Sequence, residues 1–103
     1  MNITAIGEIL VDMTQSHIDE RGIAHFAANP GGAPANVAVA AARLGARSAF
    51  IGCVGRDSFG SMLRKVLDDN GVDTSYLQST SEASTTLAVV IVDESGERSF
   101  SFC

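Results

Sequence analysis

Residues 31–55 read GGAPANVAVAAARLGARSAFIGCVG, and the rest of the chain can be organised around this stretch. Pro34 suits the first turn of a helix, the small apolar residues after it continue the helix, and Gly45 is a natural residue to end it. Because Ala, Val and Leu occupy every side of this helix, we expect it to be buried all round. The apolar segment Arg47–Val54 follows as a strand.

Similar elements lie on both sides of that stretch. Residues Ile3–Val11 form a mostly apolar run that predicts one strand buried on both faces, whereas Asn29–Pro34 is expected to have no regular structure. Asp57 or Ser58 caps a second helix, which ends at Asn70-Gly71. The apolar positions of this helix repeat at helical spacing and are Phe59, Met62, Leu63, Val66 and Leu67. Strand, helix, strand, helix in this order predicts parallel βαβ units of an α/β fold.

Two hairpins are predicted outside these units. The turn signal Asp19–Gly22 divides the mixed segment Thr14–Asn29 into two short strands. Near the end of the chain, Thr85–Val92 and Arg98–Phe102 flank the sequence DESGE, which is typical of a glycine-containing hairpin loop. Apolar and polar residues alternate in Arg98–Phe102, so we expect one face of that strand to be in water.

Composition excludes several functional classes. The chain has 103 residues, of which 46% are hydrophobic, and its net charge is −5. Without a basic run it does not fit a protein that binds nucleic acid or an anionic membrane. No apolar stretch reaches the length of about 18 residues that a membrane helix needs. With two cysteines and no signal-peptide pattern, we expect a reduced, cytoplasmic protein.

Two features could bind a ligand. Gly31 and Gly32 precede a helix N-terminus, where free backbone N–H groups and the Asn36 amide would suit a polar ligand rich in hydroxyls. Asp12, expected just beyond the first strand, could accept hydrogen bonds from two adjacent hydroxyls. The alternatives are a tight turn into a buried helix, in which Asn36 bonds to nearby backbone, and a solvated aspartate at a strand end.

Other features indicate structure rather than chemistry. Residues Gly52–Gly60 lead from a strand into a helix but lack the Gly-Lys-Ser/Thr ending of a phosphate loop, so a tight turn capped by Asp57 is favoured. His17 and His25 flank a hairpin turn and have no metal-ligand spacing with the cysteines, which favours solvated histidines and no metal site. Glu8 lies in the predicted buried strand, where its carboxylate would need a partner.

Taken together, these residues resemble the N-terminal signature of the ribokinase/pfkB family of carbohydrate kinases. The signature combines two glycines, an asparagine and further glycines at set distances, matched here by Gly31-Gly32-Ala33-Pro34-Ala35-Asn36, Gly45 and Gly55. The sequence GGAPANVAVAAARLG is most similar to the fructokinase branch, as is Gly96-Glu97-Arg98-Ser99-Phe100. The resemblance spans residues 1–103 but only about the first third of a family member.

The resemblance implies a ribokinase-like βαβ sandwich, present here in part, with a small β-sheet lid formed by about residues 13–28 and 85–102. It also implies the residues that bind the sugar. The hydroxyls would be bound by Asp12, Gly31, Gly32 and Asn36, and Phe100 would pack on the sugar from the lid. The family's catalytic aspartate does not occur in these residues, and ATP and Mg²⁺ would be bound by a C-terminal part outside them.

We therefore expect the N-terminal segment of an ATP-dependent kinase that phosphorylates a primary hydroxyl of fructose or a similar sugar. The signature is also shared by kinases for ribose, keto-deoxy sugar acids and nucleosides. The segment alone would be inactive. We expect either that copies associate through the lid strands and exposed strand edges, or that the remainder of a longer chain packs against them. The alternative is a non-enzymatic module of 103 residues that binds a small polyol without turnover.

Overall fold

The computed structural model describes residues 2–103, which form two four-stranded β-sheets and two α-helices. The elements are β1 (Asn2–Ile6), β2 (Leu10–Ile18), β3 (Ala24–Gly31), α1 (Ala33–Arg43), β4 (Arg47–Gly55), α2 (Ser58–Asp69), β5 (Val72–Asp73), β6 (Leu77–Thr80), β7 (Leu87–Val92) and β8 (Arg98–Phe102). No helix within the described range is long and apolar enough to cross a membrane.

The first sheet, which we call the core sheet, has β4 at its centre. Strands β1, β5 and β6 each pair with β4 in parallel. Helix α1 follows β3 and leads into β4, and α2 connects β4 to β5. The predicted parallel βαβ arrangement is thus confirmed. The fully buried side chains Phe50, Leu63 and Leu67 lie between α2 and this sheet and form its hydrophobic core together with neighbouring aliphatic residues.

The second sheet, which we call the binding sheet, has the strand order β3-β2-β7-β8. It combines the two predicted hairpins, β2–β3 and β7–β8, through a parallel pairing of β2 with β7. Every residue of β8 is exposed. Both faces of this strand are therefore in water, whereas its alternating sequence predicts only one.

The predicted continuous strand Ile3–Val11 is wrong, because the chain changes sheets inside it. Strand β1 ends at Ile6, and β2 begins at Leu10 in the other sheet. Gly7 permits the crossing: a Cβ atom there would lie 2.7 Å from Cγ of Pro34. Glu8 is consequently exposed rather than buried in a strand, and Asp12 lies within β2 instead of beyond the first strand.

Two expectations around α1 are also corrected. Asn29 to Gly31 belong to β3 and the helix starts at Ala33, so most of Asn29–Pro34 is regular and a single glycine separates strand from helix. The helix is not buried all round, because Val37 is 56% exposed and Leu44, its C-cap residue, is 89% exposed. Its inward face carries the buried residues Ala35 and Ala38.

The second helix forms as its sequence predicts. Asp57 is the N-cap residue, and its carboxylate accepts a hydrogen bond from the Gly60 N–H at 2.7 Å. The apolar stripe faces the core, with Leu63 and Leu67 fully buried. The helix ends before Gly71, whose φ of +78° is a backbone conformation that glycine commonly adopts after the last turn of a helix.

Candidate functional site

The binding sheet carries a cavity of about 300 Å³ on one face. Its lining residues are Asp12, Thr14, Asn29, Val90, Val92, Arg98 and Phe100. The structure therefore brings together two of the sequence-predicted site residues, Asp12 and Phe100, which are 88 positions apart in the chain.

Strand register explains why these residues meet. Asp12 lies opposite Asn29 on β3, and Thr14 lies opposite Val90 on β7. Val90 in turn lies opposite Phe100 on β8. Because side chains alternate between the two faces of a sheet, residues two apart on each strand share the face that these pairs define.

The two sides of the cavity differ in chemistry. The β2–β3 side is polar, with the Asp12 carboxylate, the Thr14 hydroxyl and the Asn29 amide. The β7–β8 side is mostly apolar, with Val90, Val92 and the Phe100 residue, which is 58% exposed, but it also carries the cationic Arg98. A ligand with hydroxyls along one edge and C–H groups on one face fits this division, because its polar and apolar parts would meet matching surfaces.

Gly31 and Gly32 lie beside the cavity, where β3 leads into α1. A Cβ atom at Gly31 would overlap the Asp12 carboxylate and come within 2.9 Å of its Cγ atom. Gly32 has a φ of +97°, and a Cβ atom there would lie 2.6 Å from the Glu8 carbonyl oxygen. Gly32 therefore requires glycine for its backbone conformation and packing, whereas a side chain at Gly31 would have to displace the Asp12 carboxylate.

Asn36 is the predicted site residue that lies on α1. It is exposed on the first turn of α1 and does not line the cavity. Its backbone N–H donates to the Gly32 carbonyl at 3.0 Å, while no side chain caps this helix. The role of Asn36, Gly31 and Gly32 in binding ligand hydroxyls stays a prediction.

Sequence reasoning missed Thr14, Asn29 and Arg98 as cavity residues. Thr14 could have been found from Asp12 by the two-residue period of a strand. Asn29 could not, because β2 contains a register shift between Gln15 and His17. Counting back from the hairpin turn without this shift would pair Asp12 with Pro30 and place Asn29 on the opposite face.

The N-terminus of α2, where the sequence is most similar to a phosphate loop, is occupied by the Asp57 carboxylate. The Asp57 carboxylate accepts hydrogen bonds from the Gly60 N–H, the Thr85 N–H at 2.9 Å and the Thr85 hydroxyl at 2.7 Å. A Cβ atom at Gly60 would also collide with the Gly55 carbonyl oxygen. A nucleotide phosphate does not fit next to this carboxylate, and the predicted capped turn is confirmed.

These hydrogen bonds make the Asp57 carboxylate sensitive to acid. The Thr85 N–H contributes most to holding the pKa of Asp57 below its usual value, followed by the Thr85 hydroxyl and the Gly60 N–H. A carboxyl whose pKa is lower in the folded chain stabilises the fold while ionised, and that stabilisation is lost as the pH falls through the folded pKa.

We therefore expect Asp57→Asn to lower the Tm most near pH 7 and progressively less below about pH 4. Thermal melts from pH 7 to pH 3 test this, with Glu82→Gln in the exposed nearby loop as the control. A difference between wild type and Asp57→Asn that stays constant over this range would show that the charge of Asp57 contributes nothing.

In the part of the chain that the structure describes, the other depressions and histidines provide no second candidate site. A depression of about 510 Å³ lies along α2, but Arg64 there donates to the Thr74 and Leu77 carbonyls at 3.2 and 2.6 Å. At the β2–β3 turn, the exposed rings of His17 and His25 stack at 4.3 Å between centroids. Among the side chains of residues 2–103, no group of three or more could hold a metal ion.

Comparisons with known proteins agree on one family. The model described as "pfkB family carbohydrate kinase" matches residues 2–103. The protein named "Probable fructokinase-6, chloroplastic" from Arabidopsis thaliana is 46% identical over 102 residues, covering 97% of this chain and 27% of that protein. A fructokinase structure from Xylella fastidiosa superposes with a TM-score of 0.93 at 46% identity, covering 98% of this chain and 31% of the other.

A second solved structure was determined with ligands. It is the fructokinase of Vibrio cholerae O395 in its form with bound fructose, ADP and calcium ion, similar to this chain with a TM-score of 0.80 at 44% identity. The match covers 98% of this chain and 31% of that structure. This chain thus spans about a third or less of the length of the relatives it matches.

Proposed function

The chain belongs to the pfkB family of carbohydrate kinases, and from this membership we propose that it is the sugar-binding segment of an ATP-dependent fructokinase. Its similarity to solved fructokinases confirms the expected ribokinase-like α/β fold, present here in part. The observation that supports a sugar as the ligand is the divided cavity, with Asp12 and Asn29 on one side and Phe100 on the other.

In this proposal each side of the cavity has its own task. The Asp12 carboxylate accepts hydrogen bonds from two adjacent sugar hydroxyls, which a carboxylate with two oxygens can do without donating any. Phe100 and Val90 pack on the C–H face of the sugar. The binding sheet then acts as the lid, with segments of about residues 13–28 and 85–102, and it orients the sugar and keeps water away from the reacting hydroxyl.

The phosphoryl donor and the catalytic base are proposed to lie outside residues 2–103. The position most similar to a phosphate loop is filled by Asp57, and the described side chains include no metal-binding group. We propose that ATP and Mg²⁺ are bound by the remaining part of a full-length protein, and that the present segment alone is inactive. Association through the open edges of β3 and β8, and a cytoplasmic location, belong to the same proposal.

A sugar panel tests this function directly. The full-length protein is assayed with ATP and fructose, ribose, glucose, a 2-keto-3-deoxy sugar acid and a nucleoside, with the phosphorylated product identified. The proposal expects fructose to give the highest kcat/KM. Binding of sugar without any phosphorylation would instead support the non-enzymatic polyol-binding module, and a clear preference for another sugar would correct the assignment to fructose.

Asn29 lies opposite Asp12 in the cavity, so we expect its amide to form one hydrogen bond with the sugar. We expect Asn29→Ala to raise the KM for the sugar about fivefold, because one uncharged hydrogen bond is worth about 1 kcal/mol. Gln78→Ala, which removes an exposed amide from β6 in the other sheet, is the control. Steady-state kinetics provide the measurement, and an unchanged KM would mean that the Asn29 amide does not touch the sugar.

A further inference from the structure

Thr85 is a buried polar residue at the point where the chain passes from the core sheet to the binding sheet. Only 5% of it is exposed. Its hydroxyl donates to the Asp57 carboxylate at 2.7 Å and accepts from the Gly55 N–H at 3.0 Å, while its own N–H donates to the same carboxylate at 2.9 Å. Three hydrogen bonds therefore hold this residue against the end of β4 and the start of α2.

The backbone around Thr85 is also tightly packed. A Cβ atom at Gly55 would lie 2.5 Å from the Thr85 nitrogen and 2.8 Å from the Ala83 carbonyl oxygen. The segment that enters β7 thus rests directly on the backbone of Gly55, and a shift of Thr85 would have to move the start of β7 with it.

From Thr85 the connection to the sugar cavity is short. The carbonyl of the next residue, Thr86, accepts a hydrogen bond from the Val11 N–H at 3.0 Å. Val11 is fully buried and directly precedes Asp12. From there β2 and β7 run side by side, with Asp12 opposite Ala88 and Thr14 opposite Val90.

We infer that Thr85 is a positioning residue for the sugar site: clamped by Asp57 and Gly55, it sets the position of β7 against β2. It thereby sets the distance between the polar side of the cavity at Asp12 and the apolar side at Val90 and Phe100. Thr85 does not line the cavity and acts through the strands alone. This inference rests on the proposed function of the same site.

Two substitutions at Thr85 separate its hydroxyl from its shape. Thr85→Val keeps the shape but removes the hydroxyl, so it loses the bond to Asp57 and leaves the Gly55 N–H without its acceptor. Thr85→Ser keeps both bonds. The matched control is Thr74→Val, which removes a comparable hydroxyl bond, 2.6 Å to Asp68, from a site next to the core sheet.

In the full-length protein we expect Thr85→Val to raise the KM for the sugar on the order of tenfold, since small displacements of binding groups are costly. The KM for ATP should stay unchanged, and Thr85→Ser and Thr74→Val should resemble wild type. Amide hydrogen exchange of Thr85→Val should become faster in Leu87–Val92 but not in Asn2–Ile6. If Thr85→Val does not fold, Asp57→Asn takes its place in the test. The same rise in the KM for the sugar is then expected, with no change in the KM for ATP.

Several results would overturn the inference. They are an unchanged sugar KM in folded Thr85→Val, an equal rise in the KM for ATP, or the same rise in Thr74→Val. If wild type phosphorylates no sugar, the proposed function fails, and hydrogen exchange alone decides about Thr85. Faster exchange confined to Leu87–Val92 then supports the positioning role, and unchanged or uniformly faster exchange refutes it.

Discussion

Asp12→Ala in the full-length protein is expected to lower kcat/KM for the sugar about a hundredfold or more while the protein still folds. Two charge-assisted hydrogen bonds to hydroxyls are lost, each worth about 1.5–3 kcal/mol. Folding should survive because Asp12 is only half-buried and borders an open cavity. Sugar kinetics and a thermal melt of the same preparation measure the two effects.

Two further variants show whether the loss belongs to the carboxylate itself. Asp12→Asn keeps the shape but replaces one acceptor oxygen with a donor, so it should lose part of the activity. Glu20→Ala removes an exposed carboxylate from the turn of the same hairpin and should behave like wild type. Normal sugar kinetics in folded Asp12→Ala would remove Asp12 from the site, and an unfolded variant would show that its role is structural.

Gly32→Val is expected to lower both the stability of the protein and its sugar affinity. A branched side chain is strained at a φ of +97°, and its Cβ atom would lie 2.6 Å from the Glu8 carbonyl oxygen. Backbone strain and overpacking together should lower the free energy of unfolding by about 3 kcal/mol. Because Gly32 joins β3 to α1 beside Gly31, the backbone shift that relieves the clash should also displace the sugar site.

Gly45→Val separates crowding from backbone strain. Gly45 has a similar φ of +93°, but a Cβ atom there would meet nothing within 4 Å. This variant should lose only about 1–2 kcal/mol and keep normal sugar affinity. Chemical unfolding and sugar titration of both variants provide the comparison. If folded Gly32→Val binds sugar normally, the two glycines form a turn and nothing more.

Much of the local structure was predictable because short-range chemistry determines it. The apolar stripe of α2 repeats at helical spacing, Asp57 accepts the N–H of a residue three positions on, and glycines end both helices. The two hairpins were equally predictable from their turn residues. Asp12 and Phe100, expected from the family resemblance, do share one cavity.

The helix α1 shows where local pattern misleads. An all-round apolar sequence predicts burial on every side, yet Val37 and Leu44 are largely exposed. A sequence pattern states which residues prefer to leave water, whereas the number of neighbours available to cover them depends on the packing of other elements. The break in the first strand has a similar origin, since Gly7 marks the crossing only once Pro34 packs against it.

The sequence by itself determined the α/β class, the helices with their caps, the two hairpin turns and the family signature, because each depends on residues close together in the chain. The tertiary structure alone decided three features in and around the site. It placed Asn29 opposite Asp12 through a one-residue shift in β2, it joined both hairpins into one sheet, and it gave Asp57 its partner Thr85. These features depend on which distant segments pair and in what register, and no local propensity specifies that.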